Sequence, residues 1–113
     1  MLFPGVYVGP GAHVTDSIIM NDTRVEAGAR IDRAILDKQI VVGEGAIVGQ
    51  GDAAVANVRI PQLLHSGLTV VGKGTVIPRG TTIGRNCCLA ADLGEADFTS
   101  LELPSGSVLG DTG

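Results

Sequence analysis

Aromatic residues are almost missing from this 113-residue chain, which has no tryptophan, one tyrosine and two phenylalanines. A core without them loses its largest units of apolar burial. Basic residues are scarce too: Lys and Arg number 8 against 12 Asp and Glu, for a net charge of −4. That excludes the clustered positive footprint a nucleic-acid partner requires. No apolar run approaches the roughly 18 residues of a membrane span. The N-terminus carries no charged segment followed by an apolar one, so neither a membrane anchor nor a secretory leader is expected. The two cysteines, Cys87 and Cys88, are adjacent. Neighbours in sequence make only a strained disulfide, so no disulfide framework is implied and a cytoplasmic, reducing location is expected. Histidine occurs only at His13 and His65, too few for a three-histidine zinc site.

What is present is glycine, 17 residues of 113, and small branched side chains, with Val, Ile and Thr together numbering 30. They are arranged in repeats. Val8, Val14, Val25, Ile31, Val42, Val48, Val71, Ile77, Ile83 and Leu89 each open a six-residue unit. Glycine follows the opener at Gly9, Gly43, Gly49, Gly72 and Gly84, where it permits turn conformations. The fifth place is small: Ala12, Ala29, Ala46, Thr75, Thr81 and Cys87. A longer period of 17 relates 8–24, 25–41 and 42–58. Each hexad reads as a short strand and a turn, three hexads make a triangular coil, and coils are stable only when stacked. Antiparallel sandwich strands recur at about 8 to 12 residues and fit this spacing poorly. The expected fold is therefore all-β, a left-handed parallel β-helix of hexapeptide repeats with four to five coils and one inserted loop. Val8, Val25, Val42 and Val71 are expected to stack in its interior. The whole of 1–113 reads as one domain: coils at 1–52, an interrupting loop at 53–70 around Pro61, coils at 71–94 and a capping tail at 95–113. That tail is expected to add one edge strand from the Leu101, Leu103, Val108 and Leu109 region.

Four G-x-G pieces, at Gly9, Gly43, Gly49 and Gly72, lack the third glycine of a dinucleotide fingerprint and read as coil turns. Gly67 to Lys73 spells an apparent phosphate loop, but Gly74 stands where Ser or Thr is needed and a strand follows instead of a helix. Asn21-Asp22-Thr23 matches a glycosylation sequon, which means little without a secretory signal. Cys87 fills a small inward place and Cys88 faces out, both structural. The histidines allow a second reading, a small hexapeptide acyltransferase with His13 or His65 as base. A purely structural β-helix without a ligand is a third. Lysine occurs only at Lys38 and Lys73, each just outside a turn. Two such lysines are either solubilising surface residues or the marks of an anion site.

Arg33-Ala34-Ile35-Leu36-Asp37-Lys38, followed by Val42-Gly43-Glu44-Gly45 and preceded by Asp16-Ser17-Ile18-Ile19-Met20, resembles a signature of the glucose-1-phosphate adenylyltransferases (ADP-glucose pyrophosphorylases). So does Ser66-Gly67-Leu68-Thr69-Val70-Val71-Gly72-Lys73 with Ile77-Pro78-Arg79-Gly80. The resemblance runs from about Val8 to Leu89. It implies the C-terminal β-helix domain of an enzyme that makes ADP-glucose for glycogen or starch. The catalytic nucleotidyltransferase domain of that family would lie upstream, and magnesium would belong to it, so the fragment itself needs no catalytic residue, metal or cofactor. The resemblance further implies homo-oligomer contacts and a phosphorylated metabolite effector, with Lys38 and Lys73 on the family's effector-binding lysines and Arg33 and Arg79 as possible helpers. Gly74 departs from the acidic or amide residue of plant-like members. If the loop bulges out, Lys38 and Lys73 are expected on one side of the domain, roughly 5–10 Å apart along the axis.

Overall fold

A hexad of two or three extended residues and a tight turn cannot bury its apolar side chain alone; it needs an identical neighbour above and below. The computed structural model, which describes residues 3–50, 67–98 and 102–110, consists of such neighbours. Fourteen short strands follow in chain order among the described residues: β1 (Tyr7–Val8), β2 (His13–Thr15), β3 (Ile18–Ile19), β4 (Arg24–Val25), β5 (Arg30–Asp32), β6 (Ala34–Leu36), β7 (Val41–Val42), β8 (Ile47–Val48), β9 (Thr69–Val71), β10 (Val76–Ile77), β11 (Thr82–Ile83), β12 (Cys88–Leu89), β13 (Glu102–Leu103) and β14 (Val108–Leu109). They form three parallel sheets. The first runs β1-β4-β7-β10, the second β13-β11-β8-β5-β2 and the third β14-β12-β9-β6-β3. The result is a β-helix of about five coils with hexapeptide spacing, as the repeat predicts. No described helix is long and apolar enough to cross a membrane.

The interior is three columns of aliphatic side chains in register. On the first sheet they are Val8, Val25, Val42 and Ile77. On the second they are Val14, Ile31, Val48, Ile83 and Leu103. On the third they are Ile19, Leu36, Val71, Leu89 and Leu109. The expected column of Val8, Val25, Val42 and Val71 is thus wrong at its last place. Ile77 continues that column, and Val71 lies on the third sheet, because the insertion interrupts a coil between its second and third faces and not between coils. Val8 is 37% exposed, since the first coil has no described neighbour above it, while Val25, Val42 and Ile77 are fully buried. Ile19 and Leu36 open units as well, and the units before them, from Val14 and from Ile31, have five residues, which is why the longer period is 17.

The insertion leaves the stack after β8 and returns by Gly67, before the predicted boundary at 70. Both of its ends are tied to the fourth coil: the Gln50 N–H donates to the Ile83 carbonyl at 3.1 Å and the Gly67 N–H to Asn86 Oδ1 at 2.8 Å. Most of the expected loop, with Pro61 and His65, lies outside the described residues. The tail supplies two strands, β13 and β14, where one was expected, and a 3-10 turn at Glu95–Asp97 precedes them.

Glycine does two different jobs. Of those after the openers, Gly9, Gly43, Gly72 and Gly84 do not take positive φ and let the next coil approach, while Gly49 takes φ of +93°. A Cβ on Gly43 would stand 2.4 Å from the Arg79 backbone nitrogen, and Gly9, Gly72 and Gly84 are equally crowded. The turn conformation falls instead on Gly11, Gly28, Gly45 and Gly80, all with φ of +70 to +73°.

Buried threonines close the remaining backbone valences. Thr75 Oγ1 donates to the Ala90 carbonyl at 2.8 Å and accepts from the Leu93 N–H at 3.3 Å. Thr69 bridges Gly84 and Cys87 in the same way, and Thr23 bridges Asp37 and Ile40. Thr81, buried in the column of Ala29 and Ala46, has no partner for its hydroxyl among the described residues. Removing a bridging hydroxyl orphans two backbone groups, whereas removing an unsatisfied one relieves a penalty. Thr75→Val is expected to lower stability by about 1–3 kcal/mol and Thr81→Val to leave it equal or raise it. Val25→Asp, which buries a carboxylate, should cost several kcal/mol. Thermal melts of the three variants check this ordering.

Candidate functional site

The corner that joins the third sheet to the first is a ladder of two-residue turns. Asn21 and Asp22 form one rung, Lys38 and Gln39 the next, then Lys73 and Gly74, then Ala91 and Asp92. Backbone bonds tie each rung to the one before: Gln39 N–H to Asn21 O at 3.0 Å, Gly74 N–H to Lys38 O at 3.0 Å and Asp92 N–H to Lys73 O at 2.8 Å. Lys38 and Lys73, 35 residues apart in sequence, therefore stand on adjacent rungs of one corner, about 4.8 Å apart along the axis. Both side chains are exposed, and neither has an ion-pair partner among the described residues. The Lys38 N–H is itself held by Asp37 Oδ1 at 2.7 Å.

The second residue of each rung takes positive φ: Asp22 at 59°, Gln39 at 58°, Gly74 at 77° and Asp92 at 59°. This accounts for Gly74. A Cβ there would lie 2.3 Å from Asp92 Oδ1, so the bare backbone leaves room for the acidic side chain of the next rung. The acidic or amide character expected beside Lys73 is found one rung to either side, at Gln39 and Asp92.

The two arginines do not join the lysines. Arg33 stands at the corner between the second and third sheets, with φ of 52°. Arg79 stands at the corner between the first and second, where the Gly80 N–H bonds to the Glu44 carbonyl at 3.0 Å. Each of the three corners holds part of the predicted set, and only the lysine corner holds two members. Lys73 also closes the interrupted coil and does not open the one after it, because β9 completes that coil's third face.

His13 lies on the outer surface of the second sheet, exposed and in register with Arg30. Among the described residues no carboxylate hydrogen-bonds to it, so the orienting partner a general base uses is not supplied there. His65 lies outside the described residues. Cys87 is buried, and burial pushes its thiol above the ordinary value, partly offset by backbone N–H groups of Ser107, Gly106 and Gly84. Its S–H faces the Pro104 carbonyl at 3.3 Å. Cys88 is half-buried.

Sequence reading missed the pairing of Asp32 with Arg85, whose Nη2 stands 2.8 Å from Asp32 Oδ2 across two coils. Nothing in the spacing announces a contact between residues 53 apart. It also missed a row of outward apolar side chains on the third sheet: Ile18, Ile35, Val70, Cys88 and Val108, in register over five coils. The alternation of β6 and β9, buried at both ends and half-buried at the centre, carries that signal.

This architecture has close relatives in sequence. The family model described as GlmU-like, C-terminal hexapeptide matches residues 1–71. The chain belongs to the GlmU-like C-terminal hexapeptide family. It is 41% identical over 94 residues to the glucose-1-phosphate adenylyltransferase of Thermomicrobium roseum, a match covering 83% of this chain and 22% of the relative. To that of Acetivibrio thermocellus it is 37% identical over 105 residues, covering 93% of this chain and 24% of the relative. To that of Pseudothermotoga lettingae it is 31% identical over 110 residues, covering 96% and 26%. The chain thus spans about a quarter of the length of these curated relatives. No solved structure matches it.

Two outcomes follow from the placement of these side chains. Exposed turn lysines carry little packing, so the Lys38→Ala, Lys73→Ala double variant is expected to melt within about 0.5 kcal/mol of the parent. Because burial raises the Cys87 pKa, less of it is thiolate at pH 8 and it is shielded besides. Iodoacetamide followed by peptide mass spectrometry should label Cys88 rapidly in the folded chain and Cys87 only after denaturation.

Proposed function

We propose that this chain is the regulatory and assembly domain of a cytoplasmic glucose-1-phosphate adenylyltransferase, without catalysis of its own. The observation that carries the reading is the lysine corner. The chain's only two lysines occupy adjacent rungs, exposed and without an ion pair among the described residues. That sets two positive charges side by side on the corner, with Asp22 and Asp92 on the rungs beyond them. A phosphate group reaches two ammonium groups at that separation, through charge-assisted hydrogen bonds stronger than neutral ones. Lysine suits the task as a mobile point charge on a flexible stem.

The rest of the parent enzyme supplies what this chain lacks. Transfer of a nucleotidyl group needs positioned cations, usually with magnesium, around phosphate oxygens that gain charge. Those belong to an upstream nucleotidyltransferase domain, which also completes the effector site. The apolar row on the third sheet adjoins the lysine corner directly. A partner surface seated there, from the upstream domain or from a second subunit of a homo-oligomer, feels any anion bound at the corner. Regulation then amounts to a ligand that binds one arrangement of domain and partner better than another.

The test restores the upstream domain. Lys38→Ala and Lys73→Ala in the full-length enzyme are each expected to weaken activation by phosphorylated metabolites about tenfold or more, with unstimulated turnover retained. Unchanged effector response in both variants returns the lysines to the role of surface residues. The 113-residue chain by itself is expected to form no ADP-glucose from ATP and glucose 1-phosphate in a coupled assay for released pyrophosphate.

A further inference from the structure

A groove of about 370 Å³ lies on the outer surface of the second sheet, the side of the triangular coil opposite the lysine corner. Gly49 creates it. The residues before Gly49 on this surface, Thr15 and Asp32, carry outward side chains; Gly49 carries none, and a Cβ there would stand 1.9 Å from the Asp32 carbonyl oxygen. Arg85 reaches across the resulting gap from the fourth coil to Asp32 in the second. That ion pair forms one wall. The other side is the outward row His13, Arg30 and Ile47, one coil apart and in register. Gln50 closes one end.

The charges here are unequal. Arg85 is compensated by Asp32, but Arg30 has no ion-pair partner among the described residues, and His13 stands beside it. Among the described residues, two guanidinium groups and an imidazole therefore face one carboxylate, in a chain whose net charge is −4. Arg30 and His13 on adjacent strands, about 4.8 Å apart, can both donate to one tetrahedral anion. The volume exceeds what a bare phosphate fills and falls at the lower end of small-molecule sites. The remaining space is lined by Thr15 and Gln50, which exchange hydrogen bonds with hydroxyls, and by Ile47, which offers an apolar floor.

We propose that this groove is a second anion site, separate from the lysine corner, which binds a phosphate monoester with a hydroxylated organic part of sugar size. Arg30 and His13 hold the phosphate. Arg85, fixed by Asp32, positions the wall, and Thr15 and Gln50 contact the hydroxyls.

Amide NMR shifts of the 113-residue chain, titrated separately with glucose 6-phosphate, inorganic phosphate and glucose, test this. Glucose 6-phosphate is expected to give saturable shifts at Thr15, Arg30, Ile47 and Gln50. Inorganic phosphate should bind the same amides more weakly, and glucose should leave them unmoved. Arg30→Gln, an exposed change that leaves the core intact, is expected to raise Kd for glucose 6-phosphate about tenfold or more. Ile47→Glu, which puts a carboxylate on the groove floor, should do the same, while Lys38→Ala with Lys73→Ala should leave Kd unchanged. The proposal is overturned if those amides show no saturable shift, if glucose 6-phosphate binds no better than inorganic phosphate, if Arg30→Gln binds as the parent does, or if only the lysine variant loses binding.

Discussion

Everything in this molecule hangs on one backbone interaction, the bond from an N–H in one coil to a carbonyl in the next. It recurs at every face: Tyr7 to Thr23, Arg24 to Ile40 and Val41 to Thr75 on the first sheet, His13 to Ala29, Arg30 to Ala46 and Ile47 to Thr81 on the second, at 2.7–3.0 Å. Such bonds fix register, and fixed register puts like residue on like residue. Branched aliphatics then fill the interior in three columns without aromatic rings, because each layer is thin and the next layer supplies the missing contact. The small residues at the fifth places, Ala29, Ala46, Thr75, Thr81 and Cys87, are fully buried for the same reason. Three strands and three turns meet at each layer, and the axis has no room for more.

The same register makes corners into functional real estate. A side chain at a turn stands outside the stack and recurs every coil on one vertical line. A ladder of turns is thereby a rigid scaffold on which charge is placed at intervals of one strand spacing. At the lysine corner that line reads Asp22, Lys38, Lys73, Asp92 for the charged positions, with the two cations together and an acid beyond each. Positive φ at the second turn position restricts which residues take part, and Gly74 shows the restriction at work. The lysines are not strained; the strain falls on their neighbours.

The insertion after Gln50 shapes the opposite side. By anchoring both of its ends to the fourth coil, the stack keeps register across the interruption, and β9 falls on β6 as though no residues intervened. Arg85 then lies within reach of Asp32, and the bare Gly49 between them leaves a groove. A residue pair without any local signal is in this way brought to 2.8 Å by the continuity of the sheets.

The fold was legible in the chain because its signal is periodic: the aliphatic openers, the small fifth places and the absence of aromatics all report the same six-residue unit. The lysine corner was legible in part, since residues just outside turns, near the ends of motif-bearing hexads, fall at corners whatever the details. Which corner, which face and which neighbours were not. Val71 was put in the wrong column because sequence does not say at which face an insertion leaves and rejoins. Arg33 and Arg79, grouped with the lysines on motif alone, stand at the other two corners because a triangular coil advances one corner per hexad. The tail's two strands were hidden because a loop had broken the count. The sequence by itself determined the repeating unit and most of the inward residues, through the period of its apolar places. Tertiary structure alone decided which outward side chains share a surface, because that depends on coil register across the insertion, which is set by backbone bonds between residues far apart in the chain.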